Sequence, residues 1–426
     1  MRSVRAEYGR TDRIVIVGGG PAGWAAAGEL RRLGFPGELT VISGEPEGPY
    51  DRTACSKGLL NGHQKPRDLR LDLNSCPDVH WRLGVHAVGL DPIARRILLD
   101  TGEAVAFDGL VIASGTSPSY PKGWPQDEPG LHLLHSIPDS WAFRRDLHRA
   151  RRVAIVGGGL TGCEVACTTV ALAREAVIIN SQPYLMPRAV GDQVGALITA
   201  AHQASGIETR LGRRVAGAGR YGNQWRLVLD DGDQVFADVV VVTAGEHPDV
   251  AWLAGSGIDT SDGVLCDETL RVVGADGIVA AGALARWPNL RYGTKPARVG
   301  QWITALETGQ ASARTLLYGR DAVGPVTLLP RFWSDQRGLR IQVAGQLSRN
   351  AEVWLTELRP DRLDTARSGV VASYAEGGRL TGIVSVNAPR AFTVATRTLL
   401  ANPLPVQPAE AVAPDWTGER RLRAVR

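Results

Sequence analysis

Two glycine-rich turns carry the residue types and spacing best suited to holding a cofactor in this sequence of 426 residues. One is Gly18-Gly19-Gly20-Pro21-Ala22-Gly23, and the other is Gly157-Gly158-Gly159-Leu160-Thr161-Gly162. In a G-x-G-x-x-G turn, the first glycine allows the tight bend, the second lets the backbone approach a pyrophosphate, and the third lets a helix pack against a strand. The phosphates then lie at the positive N-terminus of that helix. Each turn is therefore a candidate dinucleotide site.

The residues around each turn predict the strand–turn–helix–strand unit that such a site requires. An apolar run comes before each turn, at residues 14–17 and 153–156, and a helical pattern follows it. A second strand comes next, at residues 38–42 and 177–179. A lone glycine motif is weak evidence, whereas two motifs in full context, 139 residues apart, predict two dinucleotide-binding units.

The repeat extends well beyond the turns. Each half continues with a hairpin-turn sequence and then an apolar strand that ends in small residues. The offset is 130 residues at four matching pairs, which are Asp100 and Asp230, Gly102 and Gly232, Asp108 and Asp238, and Gly115 and Gly245. One architecture used twice predicts an α/β fold with two Rossmann-like dinucleotide-binding domains. From about residue 326, short β runs and a helical stretch at 392–400 predict a C-terminal α+β domain.

The composition excludes several other classes of protein. A net charge of +4 without a basic run gives no reason to expect nucleic acid binding. Residues 1–13 lack the apolar core of a signal peptide, and the longest apolar run, at 239–242, is too short to span a membrane. Five cysteines without a C-x-x-C pair and eight histidines without a ligand set predict neither a disulfide framework nor a metal site. We expect a cytoplasmic protein that does not enter the membrane.

Two dinucleotide sites imply two cofactors that exchange electrons, and one of these is commonly a flavin. Three stretches are informative here: Pro49-Tyr50-Asp51-Arg52 with Ser56-Lys57, Gly157 to Glu164, and Phe332-Trp333-Ser334-Asp335-Gln336 with 339–345. Through them, and over the chain to about residue 402, the sequence resembles the FAD-dependent ferredoxin reductases. The resemblance is to the putidaredoxin, rubredoxin and biphenyl-dioxygenase reductase type, within the pyridine nucleotide-disulfide oxidoreductase superfamily.

The resemblance implies an enzyme that passes electrons from NAD(P)H through FAD to a small acidic iron–sulfur protein, a ferredoxin. The predicted domains are an FAD-binding domain at 1–117 and 248–325, an NAD(P)-binding domain at 118–247, a C-terminal α+β domain at 326–405 and a flexible tail at 406–426. The oligomeric state and the choice between NADH and NADPH stay open.

Four residues are candidates for a catalytic role: Lys57, Glu164, Trp333 and Cys55. The resemblance implies that Lys57 lies near flavin N5 and pairs with Glu164, and that Trp333 and Trp302 lie around the flavin and the nicotinamide. A lysine there stabilises the anionic reduced flavin. A surface ion pair and ordinary core packing are the alternative interpretations of the lysine pair and of Trp333. Cys55 is either a thiol activated by the neighbouring lysine or a small packing residue.

The full set of residues expected to bind cofactor follows from the two turns, from the strand ends and from the resemblance. Glu45 is expected to bind the ribose hydroxyls of FAD, and Arg52 its pyrophosphate region. The set is Gly18, Gly20, Pro21, Ala22, Gly23, Glu45, Arg52, Lys57, Val85, Ala113, Ser114, Gly115, Gly282, Ala283 and Trp302, with Gly157, Gly159, Leu160, Thr161, Gly162, Asn180, Ala244 and Gly245 for the nicotinamide nucleotide.

The sequence departs from the related proteins at four places. Ala283 replaces an aspartate that accepts hydrogen bonds from the flavin ribityl chain, which leaves open weaker FAD binding or a substitute such as Glu307. Asn180 replaces a glutamate found in NADH-preferring relatives, and Arg188 lies close by in sequence. Thr53-Ala54-Cys55 replaces Pro-Pro-Leu, and Gly300 replaces an acidic residue.

These departures keep two other functions open. One is a flavoenzyme that acts directly on a small molecule or a thiol. The other is a non-catalytic or flavin-free homologue that keeps the fold.

Overall fold

The computed structural model describes residues 8–126, 128–348, 350–358, 369–401 and 422–423. Residues 422 and 423 are described as backbone only. Contacts divide the chain into two compact units, which we describe separately. The first unit comprises Met1–Asp51, Leu69–Ser117 and His247–Pro330, and the second comprises Arg52–Asp68, Pro118–Glu246 and Arg331–Arg426. The boundaries of the three domains expected from the sequence stay a prediction.

Strands make up most of the regular structure. In chain order they are β1 (Arg13–Val17), β2 (Glu38–Ser43), β3 (His80–Leu83), β4 (Ala87–Asp91), β5 (Arg96–Leu99), β6 (Ala104–Ala106), β7 (Gly109–Ile112), β8 (Thr116–Pro118), β9 (Leu131–Leu133), β10 (Arg152–Val156), β11 (Glu175–Asn180), β12 (Glu208–Leu211), β13 (Val215–Tyr221), β14 (Gln224–Leu229), β15 (Gln234–Ala237), β16 (Val239–Val242), β17 (Glu246–Pro248), β18 (Val264–Leu265), β19 (Ile278–Ala280), β20 (Ala285–Trp287), β21 (Ala297–Arg298), β22 (Arg331–Gln336), β23 (Leu339–Gly345), β24 (Glu352–Leu358), β25 (Gly369–Glu376), β26 (Arg379–Val386) and β27 (Leu422–Arg423).

Helices fill the connections between strands. In chain order they are α1 (Pro21–Arg32), α2 (Gly58–Asn61), α3 (Pro66–Leu69), α4 (Ile137–Leu147), α5 (Leu160–Ala171), α6 (Pro187–Ala204), α7 (Trp302–Tyr318), α8 (Arg320–Val323) and α9 (Pro389–Ala401), with 3₁₀ turns at Arg52–Ala54, Leu73–Ser75 and Ala251–Leu253. Among the residues that the structure describes, no helix has the length and apolar character needed to cross a bilayer.

The first unit is built on a parallel sheet in the order β19-β7-β1-β2-β3. The strands β1, β2 and β7 are almost wholly buried, as expected for a parallel sheet covered on both faces. An antiparallel sheet of β4, β5 and β6 contains the predicted hairpin turn between β5 and β6.

The second unit repeats this plan. Its parallel sheet has the order β12-β11-β10-β16-β9, and its antiparallel sheet of β13, β14 and β15 contains the matching hairpin turn. The central strand is β10 in this sheet and β1 in the sheet of the first unit, and each of these strands leads into a glycine turn. The prediction of two Rossmann-like regions from the internal repeat is confirmed.

The second unit also contains an antiparallel sheet near the C-terminus, in the order β22-β23-β26-β25-β24-β27. One buried core joins this sheet to the parallel sheet, because Ile341, Val343 and Val384 belong to the same cluster as Ile155 and Ile178. The predicted β runs and the helix over 392–400 are confirmed. Residues 402–421 and 424–426, which include most of the expected flexible tail, lie outside the described residues.

The helices α1 and α7 of the first unit pack so closely that a glycine is required between them. A Cβ atom added to Gly309 in α7 would lie 2.3 Å from the carbonyl oxygen of Ala22. Glu29 of α1, with 4% of its surface exposed, also accepts hydrogen bonds of 2.6 Å from both Arg32 and Arg314. These hydrogen bonds, led by that from Arg32, lower the pKa of Glu29. The carboxylate thus joins the two helices without an unpaired buried charge.

We predict that Gly309→Ala lowers the free energy of unfolding by about 1–3 kcal/mol, because the new methyl group meets backbone that must move. Gly28→Ala in α1 is the matched control, since its added Cβ would be 3.4 Å from its nearest neighbours. Thermal unfolding of both variants measures the effect. The proposed contact is wrong if the two variants unfold at the same temperature.

Candidate functional site

The first glycine turn lies between β1 and α1 and has no room for a side chain at its first or last glycine. Gly18 has a φ of +115°, and an added Cβ would lie 2.1 Å from the carbonyl oxygen of Ala113. An added Cβ on Gly23 would lie 1.9 Å from the carbonyl oxygen of Gly18. Around Gly20, in contrast, a Cβ would meet nothing within 4 Å. The open side of this turn, at the N-terminus of α1, is where a phosphate can approach the backbone.

The strand ends beside this turn hold other candidates of the first unit. Ala113 is buried, and the Ser114 hydroxyl donates to the Asp249 carbonyl at 2.7 Å and accepts from the Trp252 indole at 3.2 Å. Gly115 has a φ of +78°. The hydroxyl of Ser114 is therefore occupied within the fold, so any contact of this segment with a cofactor would come from its backbone.

Three further candidates of the first unit are Glu45, Val85 and Trp302. Glu45, two residues beyond β2, accepts a hydrogen bond of 2.6 Å from the Tyr50 hydroxyl. Val85 is partly buried against the core, and its amide donates to the carbonyl of Ser43 at 3.0 Å. Trp302 is the partly buried first residue of α7.

The turn after β19 brings Gly282 and Ala283 close to α1 and α7. Gly282 has a φ of +82°, its amide donates to the Thr308 hydroxyl at 3.0 Å, and an added Cβ would lie 3.0 Å from the Cβ of Ala22. The carbonyl of Ala283 accepts from Arg298 at 3.2 Å. One turn before Thr308, the hydroxyl of Thr304 is buried and has no hydrogen-bond partner within the described residues.

These features fit a bound dinucleotide such as FAD. The glycine turn offers bare backbone, the N-terminus of α1 offers amide hydrogens, and Glu45 offers a carboxylate for ribose hydroxyls. A buried hydroxyl without a partner is costly unless a ligand or water satisfies it, so Thr304 is a further polar group that a cofactor could use.

The second glycine turn, between β10 and α5, has nearly the same geometry. Gly157 has a φ of +117°, and an added Cβ on Gly162 would lie 1.9 Å from the carbonyl oxygen of Gly157. The surroundings of Gly159 are open to 4 Å. Leu160 and Thr161 form the first turn of α5, while Ala244 and Gly245 are exposed at the end of β16. This turn also fits a dinucleotide.

Lys57 and Glu164 form an ion pair within the second unit, with 2.7 Å between Nζ and Oε2. The lysine side chain is 31% exposed, but that of Glu164 is only 4% exposed. The carboxylate also accepts hydrogen bonds from the hydroxyls of Ser56 at 2.5 Å and Ser334 at 2.6 Å. A buried carboxylate with three donors is not a surface ion pair.

Sequence reasoning gave no role to Ser56, Ser334 or Gln336. The side-chain amide of Gln336 donates to the Ser334 hydroxyl at 3.0 Å, which can then direct its own proton to Glu164. Alternation along β22 was the available signal, because Ser334 and Gln336 are buried, whereas Asp335 between them and Trp333 before them are exposed, Trp333 to 50%. The exposure of Trp333 also excludes plain core packing.

Arg52 and Cys55 lie just before this cluster. A guanidinium nitrogen of Arg52 donates to the carbonyl of His135 at 3.2 Å. Cys55 is 3% exposed, and its carbonyl accepts from the Ser140 hydroxyl at 2.8 Å. All five cysteines are buried outside disulfides, and burial raises the pKa of Cys167 to about 12. No cluster of histidine, cysteine and acidic side chains suited to a metal occurs in the described part of the chain.

Two turns of this kind, each between a parallel strand and a helix, define an oxidoreductase that binds two dinucleotides. A family model described as "Pyridine nucleotide-disulphide oxidoreductase" matches residues 12–309, and one described as "Reductase C-terminal" matches residues 331–417. The chain belongs to the pyridine nucleotide-disulphide oxidoreductase family, which confirms the resemblance.

Similar proteins have names from one functional group. The ferredoxin–NAD(+) reductase component of the p-cumate 2,3-dioxygenase system of Pseudomonas putida is 32% identical over 90% of this chain and 92% of its own. The corresponding biphenyl dioxygenase component of Paraburkholderia xenovorans is 31% identical over 91% and 92%. A crystal structure of the ferredoxin reductase for the CYP199A2 system of Rhodopseudomonas palustris, 26% identical, has a TM-score of 0.83 over 92% of this chain and 96% of that one.

We predict that Ser334→Ala lowers the free energy of unfolding by about 1–3 kcal/mol, because one oxygen of a buried carboxylate loses its donor. Ser385→Ala in β26 is the matched control, since the buried hydroxyl of Ser385 has no hydrogen-bond partner in the part of the chain that the structure describes. Its removal is expected to be neutral or stabilising. Chemical denaturation of both variants tests this, and equal losses would contradict the role given to Ser334.

Proposed function

We propose that this chain is an FAD-dependent NAD(P)H oxidoreductase that passes electrons to a small acidic iron–sulfur protein, a ferredoxin. The observation that carries the proposal is the pair of dinucleotide turns in a chain similar along 90% of its length to a named ferredoxin–NAD(+) reductase component. The positive net charge of +4 favours an acidic partner, because complementary charge speeds encounter. We place the reaction in the cytoplasm, where buried cysteines outside disulfides are usual.

The first glycine turn and its surroundings are proposed to hold FAD. The N-terminus of α1 would bind the pyrophosphate, and Glu45 would accept hydrogen bonds from the ribose hydroxyls. FAD, when bound, supplies the change from two-electron chemistry with the nicotinamide to one-electron chemistry with an iron–sulfur centre. With Ala283 in place of an acidic residue, the buried hydroxyl of Thr304 is the polar group we propose as its substitute.

The second glycine turn is proposed to bind the nicotinamide nucleotide. Gly157, Gly159 and Gly162 would present backbone to its pyrophosphate, at the start of α5. Trp302 and Trp333 would provide flat surfaces beside the reacting rings and keep water away from them, since this transfer depends on orientation more than on an acid or base.

Lys57 is proposed to stabilise negative charge on the reduced flavin. The support is its cationic group, held at 2.7 Å from Glu164 and left partly exposed, and the resemblance through Ser56-Lys57. Glu164 fixes the position of the ammonium group, and the two serine hydroxyls fix the position of Glu164. Cys55 is buried beside this cluster, and a redox role for its thiol stays a prediction.

The direct test is the visible spectrum of the purified protein followed by an assay of acceptors. We expect flavin absorbance near roughly 370 and 450 nm. Cytochrome c reduction by NADH or NADPH is then expected only when a two-iron ferredoxin is also present. Turnover with a small acceptor and no ferredoxin would favour the direct flavoenzyme, and no flavin absorbance even after added FAD would favour the flavin-free homologue.

We predict that Lys57→Met makes the flavin reduction potential more negative by about 20–40 mV, from the loss of about 1–2 kcal/mol of charge stabilisation. Lys65→Met is the control, because Lys65 is an exposed lysine of the same segment without a carboxylate contact through its side chain in the described residues. Spectroelectrochemical titration measures both. An unchanged potential in Lys57→Met, or an equal shift in the control, would contradict the role of Lys57.

A further inference from the structure

The end of β11 is where the second unit would meet the adenosine ribose of its nucleotide. In dinucleotide-binding folds, an acidic residue about 20 positions after the first glycine accepts a hydrogen bond from the ribose 2′-hydroxyl of NAD, whereas an arginine there accommodates the 2′-phosphate of NADP. Asn180, the last residue of β11, has this position relative to Gly157. The side chains around Asn180 therefore report which nucleotide the site accepts.

The side-chain amide of Asn180 is hydrogen-bonded to the backbone of its own unit. Its side-chain oxygen accepts from the Gly158 amide at 3.2 Å, and its side-chain nitrogen donates to the carbonyls of Gln182 at 3.2 Å and Tyr184 at 2.8 Å. The residue is only 8% exposed. Asn180 thus holds the glycine turn and the following loop together and brings no negative charge to the ribose position.

The first unit provides an internal comparison. An added Cβ on Gly19 would lie 2.8 Å from Ser43 at the end of β2, just as one on Gly158 would lie 2.8 Å from Asn180 at the end of β11. Two residues beyond Ser43 is Glu45, whereas two residues beyond Asn180 is the uncharged Gln182. The chain therefore places a carboxylate at the ribose position of one site and omits it at the other.

Three arginines follow the end of β11: Arg188 eight residues further along the chain, and Arg213 and Arg214 in a loop that is hydrogen-bonded to it. The loop after β12 is bonded to it, because the amide of Gly212 donates to the Gln182 carbonyl and that of Arg213 to the Asn180 carbonyl, both at 3.0 Å. Arg213 is paired with Asp231 at 2.5 Å. Arg214 beside it and Arg188 at the start of α6 are exposed, and neither has an ion-pair partner in the described part of the chain. Arg188 and Arg214 can therefore each pair with an anion such as a phosphate group.

We propose that the second dinucleotide site binds a nucleotide with a 2′-phosphate at least as tightly as one with a free 2′-hydroxyl, so that NADPH is a substrate. Because Asn180 and Gln182 are uncharged, neither of these positions repels the phosphate, and the cationic Arg188 and Arg214 attract it. The inference rests on the proposed function, which it extends from NAD(P)H in general to the phosphorylated form.

Isothermal titration calorimetry with two adenosine nucleotides, each a fragment of the dinucleotide, tests the site without electron transfer. Adenosine 5′-monophosphate and adenosine 2′,5′-bisphosphate differ only in the 2′-phosphate, and both are titrated into the full-length protein saturated with FAD. The proposal predicts that the bisphosphate binds at least as tightly as the monophosphate. Tighter binding of the monophosphate, or no binding of either fragment, overturns it.

Two variants separate the causes. Gln182→Glu introduces a carboxylate at the position that corresponds to Glu45 and leaves Asn180 intact. It is expected to weaken binding of the bisphosphate about tenfold relative to binding of the monophosphate. The Arg188→Ala and Arg214→Ala double variant is expected to weaken the bisphosphate about tenfold and the monophosphate hardly at all. Arg149→Ala is the control with no expected effect. Arg149 is an exposed arginine before β10, at the opposite end of the parallel strands from the end of β11. Equal effects on both fragments in the two test variants overturn the proposal.

The result of the nucleotide-binding test can be distinguished from the result of the ferredoxin assay. If the protein reduces ferredoxin with NADH but prefers the monophosphate, the inference about the phosphate fails and the function stands. If both fragments bind as predicted but ferredoxin is not reduced, the function fails and the assignment of this site stands.

Discussion

The fold depends on a close approach of backbone to backbone that only glycine permits. In both units, the carbonyl oxygen of the first glycine in the turn lies 1.9 Å from where a Cβ of the last glycine would be, at Gly18 with Gly23 and at Gly157 with Gly162. This contact fixes the start of α1 and of α5 directly beyond the central strand of a parallel sheet. The orientation of each helix N-terminus, and with it each phosphate site, follows from that one steric condition.

The same close packing in the first unit brings α7 to the nucleotide turn. Ala22 lies against both Gly282 and Gly309, so the turn after β19 and the middle of α7 meet at the N-terminus of α1. The buried hydroxyl of Thr304 in α7 has no hydrogen-bond partner among the described residues, and we propose that a bound cofactor satisfies it. The second unit instead contains a buried carboxylate, Glu164, which accepts hydrogen bonds from Ser56 and Ser334 and holds Lys57 in place. The two units share an architecture but differ in charge two residues beyond the second strand, where the first unit has Glu45 and the second has the uncharged Gln182.

Local patterns predict much of this fold, because strands and helices have short periods and because the second unit repeats the first. The glycine turns, the hairpins at Asp100 and Asp230 and the C-terminal β runs are all visible in the sequence for that reason. The donors of Glu164 are not, since Ser56 and Ser334 are 108 and 170 residues away from it along the chain. The hydrogen bonds of Asn180 were equally hidden, because their partners are backbone groups whose positions only the folded loop determines.

This chain moves electrons from a nicotinamide nucleotide through FAD to a ferredoxin, as its relatives indicate. An anaerobic titration of the protein with NADH or NADPH, followed by oxidised two-iron ferredoxin, tests it most directly. We expect the flavin absorbance near roughly 450 nm to be lost with about one equivalent of nucleotide and to return as ferredoxin is reduced. Flavin absorbance that persists with either nucleotide, or that is lost but does not return with ferredoxin, would contradict this path of electrons.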